Sequence, residues 1–296
     1  MSAAVVSGLA AASRRRRLWT NRVACALLGT TVIVALGVLL LVLGYTVARG
    51  AGRLSLGFLT HSMKGVGPLD KSGGVYHSVV GTIEQVGIAA LLSIPLGLLV
   101  AIYIVEYGTS RLSTGVRFLV DVMTGVPSIV AGLFVFAFWV LGLHQGFSGL
   151  AASLALAVLM LPVVVRSSEE MLRLVPTDLR EASYALGVPR WRTVLSVVLP
   201  TASGGITTGI VLAIARVTGE TAPLLVTAFG FDAIKTSPFK GPQSNLSLFV
   251  FQNASSAFEV AVQRAWAAAL TLIVVVLVLI TAARLLGRLN RVQVRP

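Results

Sequence analysis

The chain has 296 residues, of which 56% are hydrophobic and 12% charged, with a formal net charge of +13. Soluble domains carry about 25% charged residues, so this composition and a mean hydropathy of +0.89 exclude an ordinary water-soluble protein. Cys25 is the sole cysteine, which excludes a disulfide framework and a cysteine metal site.

In chain order, residues 1–22 form a basic tail with Arg14, Arg15, Arg16, Arg17 and Arg22, expected to be disordered and cytoplasmic. Residues 23–47 carry no charge and exceed the ~20 apolar residues that cross a bilayer. The basic start and apolar middle resemble a signal peptide. The apolar run is longer than the ~7–15 residues of one, and no A-x-A site follows. The expectation is an uncleaved anchor over 23–48, followed by a Gly-rich periplasmic loop over 49–75.

Five further charge-free runs follow, at 86–105, 122–143, 147–165, 193–215 and 266–283. In lipid each must be helical, because only a helix satisfies its own backbone groups there. The second span extends to Glu84, and the fifth takes in Arg216 and Glu220. The expected fold is all-α and polytopic with six transmembrane helices. Five of them form a core over 76–287, with a cytoplasmic loop at 166–192, an outer loop at 226–265 and a second tail over 288–296.

Six spans put both termini on one side. That side holds sixteen of the 24 Lys and Arg residues and the other seven, with Arg216 left inside. The richer side, including Arg291 and Arg295, faces the cytoplasm by the positive-inside rule. The positive charge is therefore mostly topology rather than a nucleic-acid footprint.

The loop "RSSEEMLRLVPTDLREASYALGVPRWRTVLSVVLP" carries its own helix signals. Pro176 breaks what precedes it, and Asp178 with Glu181 has the spacing of an N-cap and its partner. Leu179, Ala182 and Leu186 make an apolar stripe, Gly187 supplies a stop, and Pro189 can open another helix. Out of context the stretch reads as a DNA-binding helix-turn-helix. Its second helix, however, continues into an uncharged run that must enter lipid. A plain interfacial helix is the other bland reading.

Glu181, Ala182 and Ser183, then Gly187 after three residues, then Val197, Leu199 and Pro200 after nine more, resemble the EAA loop of ABC importer permeases (E-A-A-x3-G-x9-I-x-L-P). Ser183 and Val197 replace the usual Ala and Ile. The stretches at 94–108, 121–136, 159–191 and 205–225, above all "GVPSIVAGLF" and "ARVTGETAPLL", resemble the PstA family of phosphate-importer permeases from about residue 75 to 287. The sister family PstC shares the general plan. The resemblance implies a MetI-like type I permease in the inner membrane. Its loop would dock on a PstB-like ATPase dimer, beside a PstC-like second permease and a PstS-like phosphate-binding protein. It also implies a transport subunit rather than an enzyme, with ATP bound by the partner. This chain has no phosphate-loop motif of its own, and no cofactor, metal or nucleic acid is expected.

Within the spans, Arg216 lies ~24 Å along the fifth if that helix starts near Pro200, in the outer third of the membrane. A buried arginine there is costly, and Glu220 at i+4 can offset it. Three readings stay open: a structural ion pair, a translocation-path site where a guanidinium fork meets phosphate, and a gate that exchanges partners. Glu84 is a candidate second partner for Arg216. Arg166 is either an interfacial arginine beside Glu169 or Glu170, or part of the inward exit. The sequence shows no hydrolase triad, and too few intramembrane ionisable residues for an ion-coupled secondary transporter.

Overall fold

A computed structural model describes residues 3–289 apart from 68, 109 and 236, so the expected C-terminal tail lies outside the described residues from 290 onward, including Arg291 and Arg295. The chain divides into two compact units, residues 1–49 and 50–296.

The first unit is formed by the long helix α1 (Ala3–Gly50), whose last residue already belongs to the second. The segment expected as a disordered tail is helical from Ala3. Its Ala, Leu and Arg residues are strong helix formers, and it contains no proline. The apolar residues surround the axis of α1 on all sides, as expected of a helix bathed in hydrocarbon.

The second unit is a helical bundle. After α2 (Leu56–Thr60), α3 (Tyr76–Ile102) runs into a π-helical turn, Tyr103–Tyr107, giving one span of 32 residues. The third span, expected as one helix from residue 122, is instead a bent pair. Here α4 (Arg111–Thr124) is a separate amphipathic helix, and α5 (Ser128–Val135) continues through a π-helical stretch to Gly142 at 106° to it. Pro127 causes the break: it cannot donate to a continuing helix, and it pushes Val126 out of helical conformation.

Helix α6 (Gly149–Arg173) extends eight residues past the expected end of the fourth span, so the loop begins at Leu174 rather than 166. The loop holds α7 (Thr177–Ala185) and α8 (Arg190–Thr193). From α8 a π-helical turn, Val194–Val198, leads into α9 (Leu199–Thr218). Pro200 lies at the start of α9, where its missing N–H is accommodated by the wide turn before it. The stretch expected as a long outer loop holds the end of α10 (Ala222–Thr227), all of α11 (Leu246–Ala254) and the start of α12 (Glu259–Leu289).

Helix α6 is the axis of the unit, with more than half of its apolar window buried. It packs on α3 and α9 through Val86, Ala89, Leu156, Met160, Val164, Ala213 and Val217. Gly97 lets α3 approach, since a Cβ there would crowd Val164. Close approach through small residues is how helices associate in a solvent as apolar as their own side chains. Among the described residues five helices are long and apolar enough to cross a membrane, six if the bent pair counts as one span.

Candidate functional site

Helix α9 delivers Arg216 in its last turn, where a cation complements the helix dipole. The helix then stops at Thr218, Gly219 caps it, and the Glu220 amide donates to the Val217 carbonyl at 3.1 Å. Arg216 and Glu220, expected on one helical turn, are therefore separated by a helix end. Gly219 is a poor helix former, and Pro223 begins α10 rather than continuing α9. Their side chains approach to only 3.9 Å, with Arg216 62% and Glu220 20% exposed. That is beyond hydrogen-bond range, and the Arg216 guanidinium shows no hydrogen bond among the described residues.

A buried stretch, residues 243–247, made of extended chain and the first turn of α11, lies beside them. Gln243, Ser244, Asn245, Leu246 and Ser247 are all nearly inaccessible, so their polar groups need partners. Helix α3 supplies most. Gln85 donates to Gln243 Oε1 at 3.1 Å and accepts from Asn245 Nδ2 at 3.2 Å. Thr82 Oγ1 accepts from the Leu246 amide at 2.9 Å, and Ser78 meets Ser244 at 3.0 Å. Asn245 caps α11 by accepting from the Leu248 amide, while Ser247 donates to the Glu220 carbonyl at 2.6 Å. Gly81 makes room for this chain, since a Cβ would overlap the Ser244 carbonyl oxygen. Glu84 accepts from Gln243 Nε2 at 2.5 Å. It is tied to this stretch and is not the second partner of Arg216.

At the opposite end of the spans, Arg166 is paired. It contacts Asp121 of α4 and donates to Glu169 at 2.8 Å. Glu169, only 3% exposed, also takes Arg117 of α4 at 3.1 Å and Arg173 at 2.7 Å. Three guanidiniums converging on two carboxylates leave this cluster with one net positive charge, and they bind the amphipathic α4 to α6.

Close by, α7 starts two residues earlier than expected: Pro176, not Asp178, occupies the cap position, and Asp178 lies in the first turn, where its charge favours the dipole. Gly187 takes φ 77°, a left-handed conformation that glycine adopts without steric cost. Leu199 packs into the cluster formed by Leu172, Val198 and Ala202. The side chain of Ser183 turns inward, with its hydroxyl 2.8 Å from that of Thr193 in α8. Glu181 and Ala182 face outward, with Leu179 and Leu186 exposed beside them. A helix-turn-helix reader would need its second helix free, whereas α8 runs on into a span.

Two buried carboxylates act as hubs that sequence reasoning missed: Glu169, visible there only as a neighbour of Arg166, and Glu106. Glu106 takes two hydrogen bonds from Arg180 of α7. The signal was present, since "VEYG" puts a charge at the end of an apolar run, where it needs a partner. Among the described residues there is no cluster of His, Cys, Asp and Glu that could hold a metal.

The model of the binding-protein-dependent transport system inner membrane component family matches residues 93–292. The phosphate transport system permease protein PstA 1 of Mycobacterium tuberculosis (strain CDC 1551 / Oshkosh) is 49% identical over 273 residues, covering 92% of this chain and 90% of that protein. PstA of Yersinia pestis is 38% identical over 277 residues, 92% of each. Among solved structures, a bacterial ABC transporter that imports alginate aligns over 94% of this chain and 99% of its own at TM-score 0.61 and 15% identity. The MetNI methionine ABC transporter aligns over 73% and 94% at TM-score 0.59 and 20% identity. At those identities the structures speak to the fold alone.

Proposed function

The chain belongs to the binding-protein-dependent transport inner membrane components and, within them, to the PstA permeases, and from that premise we propose that it carries inorganic phosphate across the inner membrane as one permease subunit of an ATP-driven importer. Arg216 is the residue that meets the anion. The observation carrying this is its exposed guanidinium, only loosely paired with Glu220 and without a hydrogen bond. Arg166, Arg173 and Arg180 each donate to a carboxylate within 3 Å, whereas Arg216 comes no nearer than 3.9 Å to Glu220 and keeps its side chain 62% exposed. A planar fork of free donors matches phosphate oxygens. The Glu220 carboxylate at 3.9 Å orients it and weakens the hold on a passing anion, as conduction requires.

The partners follow the same reading. A PstC-like permease completes the passage, a PstB-like ATPase dimer docks on the exposed face of α7 with Glu181 and Leu186, and a PstS-like protein delivers phosphate on the side of α11. Both termini and α7 face the cytoplasm, in line with the asymmetry of Lys and Arg. ATP stays with the partner, and this subunit makes and breaks no covalent bond.

The test is uptake of labelled phosphate by cells carrying Arg216→Gln, Arg216→Lys or Glu220→Gln, with assembly of the complex followed in parallel. Arg216→Gln should abolish uptake with assembly intact, and Arg216→Lys should keep a fraction of it. Full uptake by Arg216→Gln would overturn the reading.

A further inference from the structure

Helix α7 is joined to the rest of the unit by two side-chain polar contacts among the described residues. One is the Ser183–Thr193 hydroxyl pair, which leads into the span of α8 and α9. The other is Arg180. Its Nε and Nη2 donate to Glu106 Oε1 at 3.1 and 2.9 Å, its Nη1 to the Val175 carbonyl at 2.6 Å, and its Nη2 to the Leu172 carbonyl at 2.9 Å. One guanidinium thus ties α7 to the end of α6 and to the π turn that ends the α3 span. Both partners are withdrawn from water, with Glu106 2% and Arg180 14% exposed. Arg190 adds a second tie to the same turn, its guanidinium lying 5.1 Å from the centre of the Tyr107 ring.

We propose that Glu106 and Arg180 are positioning residues that carry displacement of α7 into the α3 span, so that the ATPase acts through α3 as well as through α9. The inference rests on the reading of α7 as the helix that docks the ATPase.

Two features favour transmission over mere attachment. A buried ion pair adds little net stability compared with apolar packing, but it fixes orientation and is strongly destabilising to break from one side. The fork of Arg180 engages three acceptors in different directions, so α7 cannot rotate without moving Glu106. Glu106 in turn sits on a span of 32 residues, ~48 Å long at the rise of an α-helix. The other end of that span holds Glu84 and Gln85 against Gln243 and Asn245, and Asn245 is in turn 2.9 Å from the Ser247 hydroxyl that donates to the Glu220 carbonyl. One continuous helical span therefore connects the docking helix to the backbone that positions Arg216 and Glu220.

The experiment uses the whole complex reconstituted in vesicles with phosphate-loaded binding protein, comparing Glu106→Gln, Glu106→Asp and Arg180→Lys with the parent. Three quantities are read: ATPase retained by the permease, ATP hydrolysed, and phosphate imported per ATP. Glu106→Gln and Arg180→Lys should retain the ATPase yet import about fivefold less phosphate per ATP, the lower range of ordinary coupling between sites. Glu106→Asp should recover part of the ratio. An unchanged ratio in the assembled Gln and Lys variants would overturn the proposal, as would loss of assembly in both, which would make the pair a folding element only. Failure of the docking reading itself would look different: Leu186→Asp would capture the ATPase as well as the parent.

Discussion

Gly81→Ala places the buried stretch 243–247 under test. The added methyl would overlap the Ser244 carbonyl oxygen and touch the Gln243 side chain. Backbone cannot swing aside as a flexible side-chain tip can. The stretch is pinned by Ser78, Thr82 and Gln85 on one side and by the Glu220 carbonyl on the other. To admit the methyl it must back away from α3, stretching two or three hydrogen bonds worth about 1 kcal/mol each. Overpacking itself costs about 1–3 kcal/mol, so the sum is about 3–6 kcal/mol. Gly87 lies on the same helix with open space where a methyl would sit, no atom coming within 4 Å. There Gly87→Ala should gain up to about 1 kcal/mol of helix propensity. Thermal unfolding of the two purified variants in detergent should therefore shift in opposite directions. Phosphate uptake should fall only in Gly81→Ala, because the Ser247–Glu220 bond moves with the stretch. Equal melting temperatures and equal uptake for the two would refute the account of how this stretch is held.

Two other outcomes are expected. Glu169→Ala leaves the guanidiniums of Arg117, Arg166 and Arg173 converging on a buried void. A loss of about 1.5–3 kcal/mol, as for hydrogen bonds to a charged group, should appear as protease sensitivity between α4 and α6, while Glu170→Ala at the exposed neighbour should be silent. Gly187→Val forces a β-branched residue to φ 77°, costing at least about 1–2 kcal/mol of local strain. The permease should still insert but pull down less ATPase, with Glu181→Lys doing the same by charge reversal. Undiminished capture by both would count against α7 as the docking helix.

The spans were legible in the sequence because lipid leaves a chain few options: a charge-free run of about 20 residues must be a helix. The glycine stop at 187 was legible for an equally local reason. Four features were not, three because a proline or glycine overrides the local pattern and one because distant chain intervenes. The break at Pro127 turned a single expected span into two helices, and α4 is then held to α6 by the Arg117–Glu169 and Asp121–Arg166 pairs. Asp178 has a good capping spacing, yet Pro176 takes the cap. Glu84 lies near Arg216 in any diagram of the spans, but Gln243, 159 residues away in sequence, claims it. Glu220 has helical spacing from Arg216, but the helix ends between them. Pattern reading recovers what neighbours along the chain decide, and charged side chains inside a membrane answer to neighbours in space.

The π turn at Tyr103–Tyr107 makes the chain sensitive to length as well as to residue type. Such a turn closes its hydrogen bonds one residue wider than an α turn. Each residue advances an α-helix by about 100°, so the extra one sets the azimuth at which Glu106 leaves the α3 span. A chain one residue shorter here, with every charge retained, would aim its carboxylate about a quarter-turn away from Arg180. Relatives that keep both residues should therefore keep the spacing between them and Pro95 as well, and natural insertions should collect on the far side of Gly108.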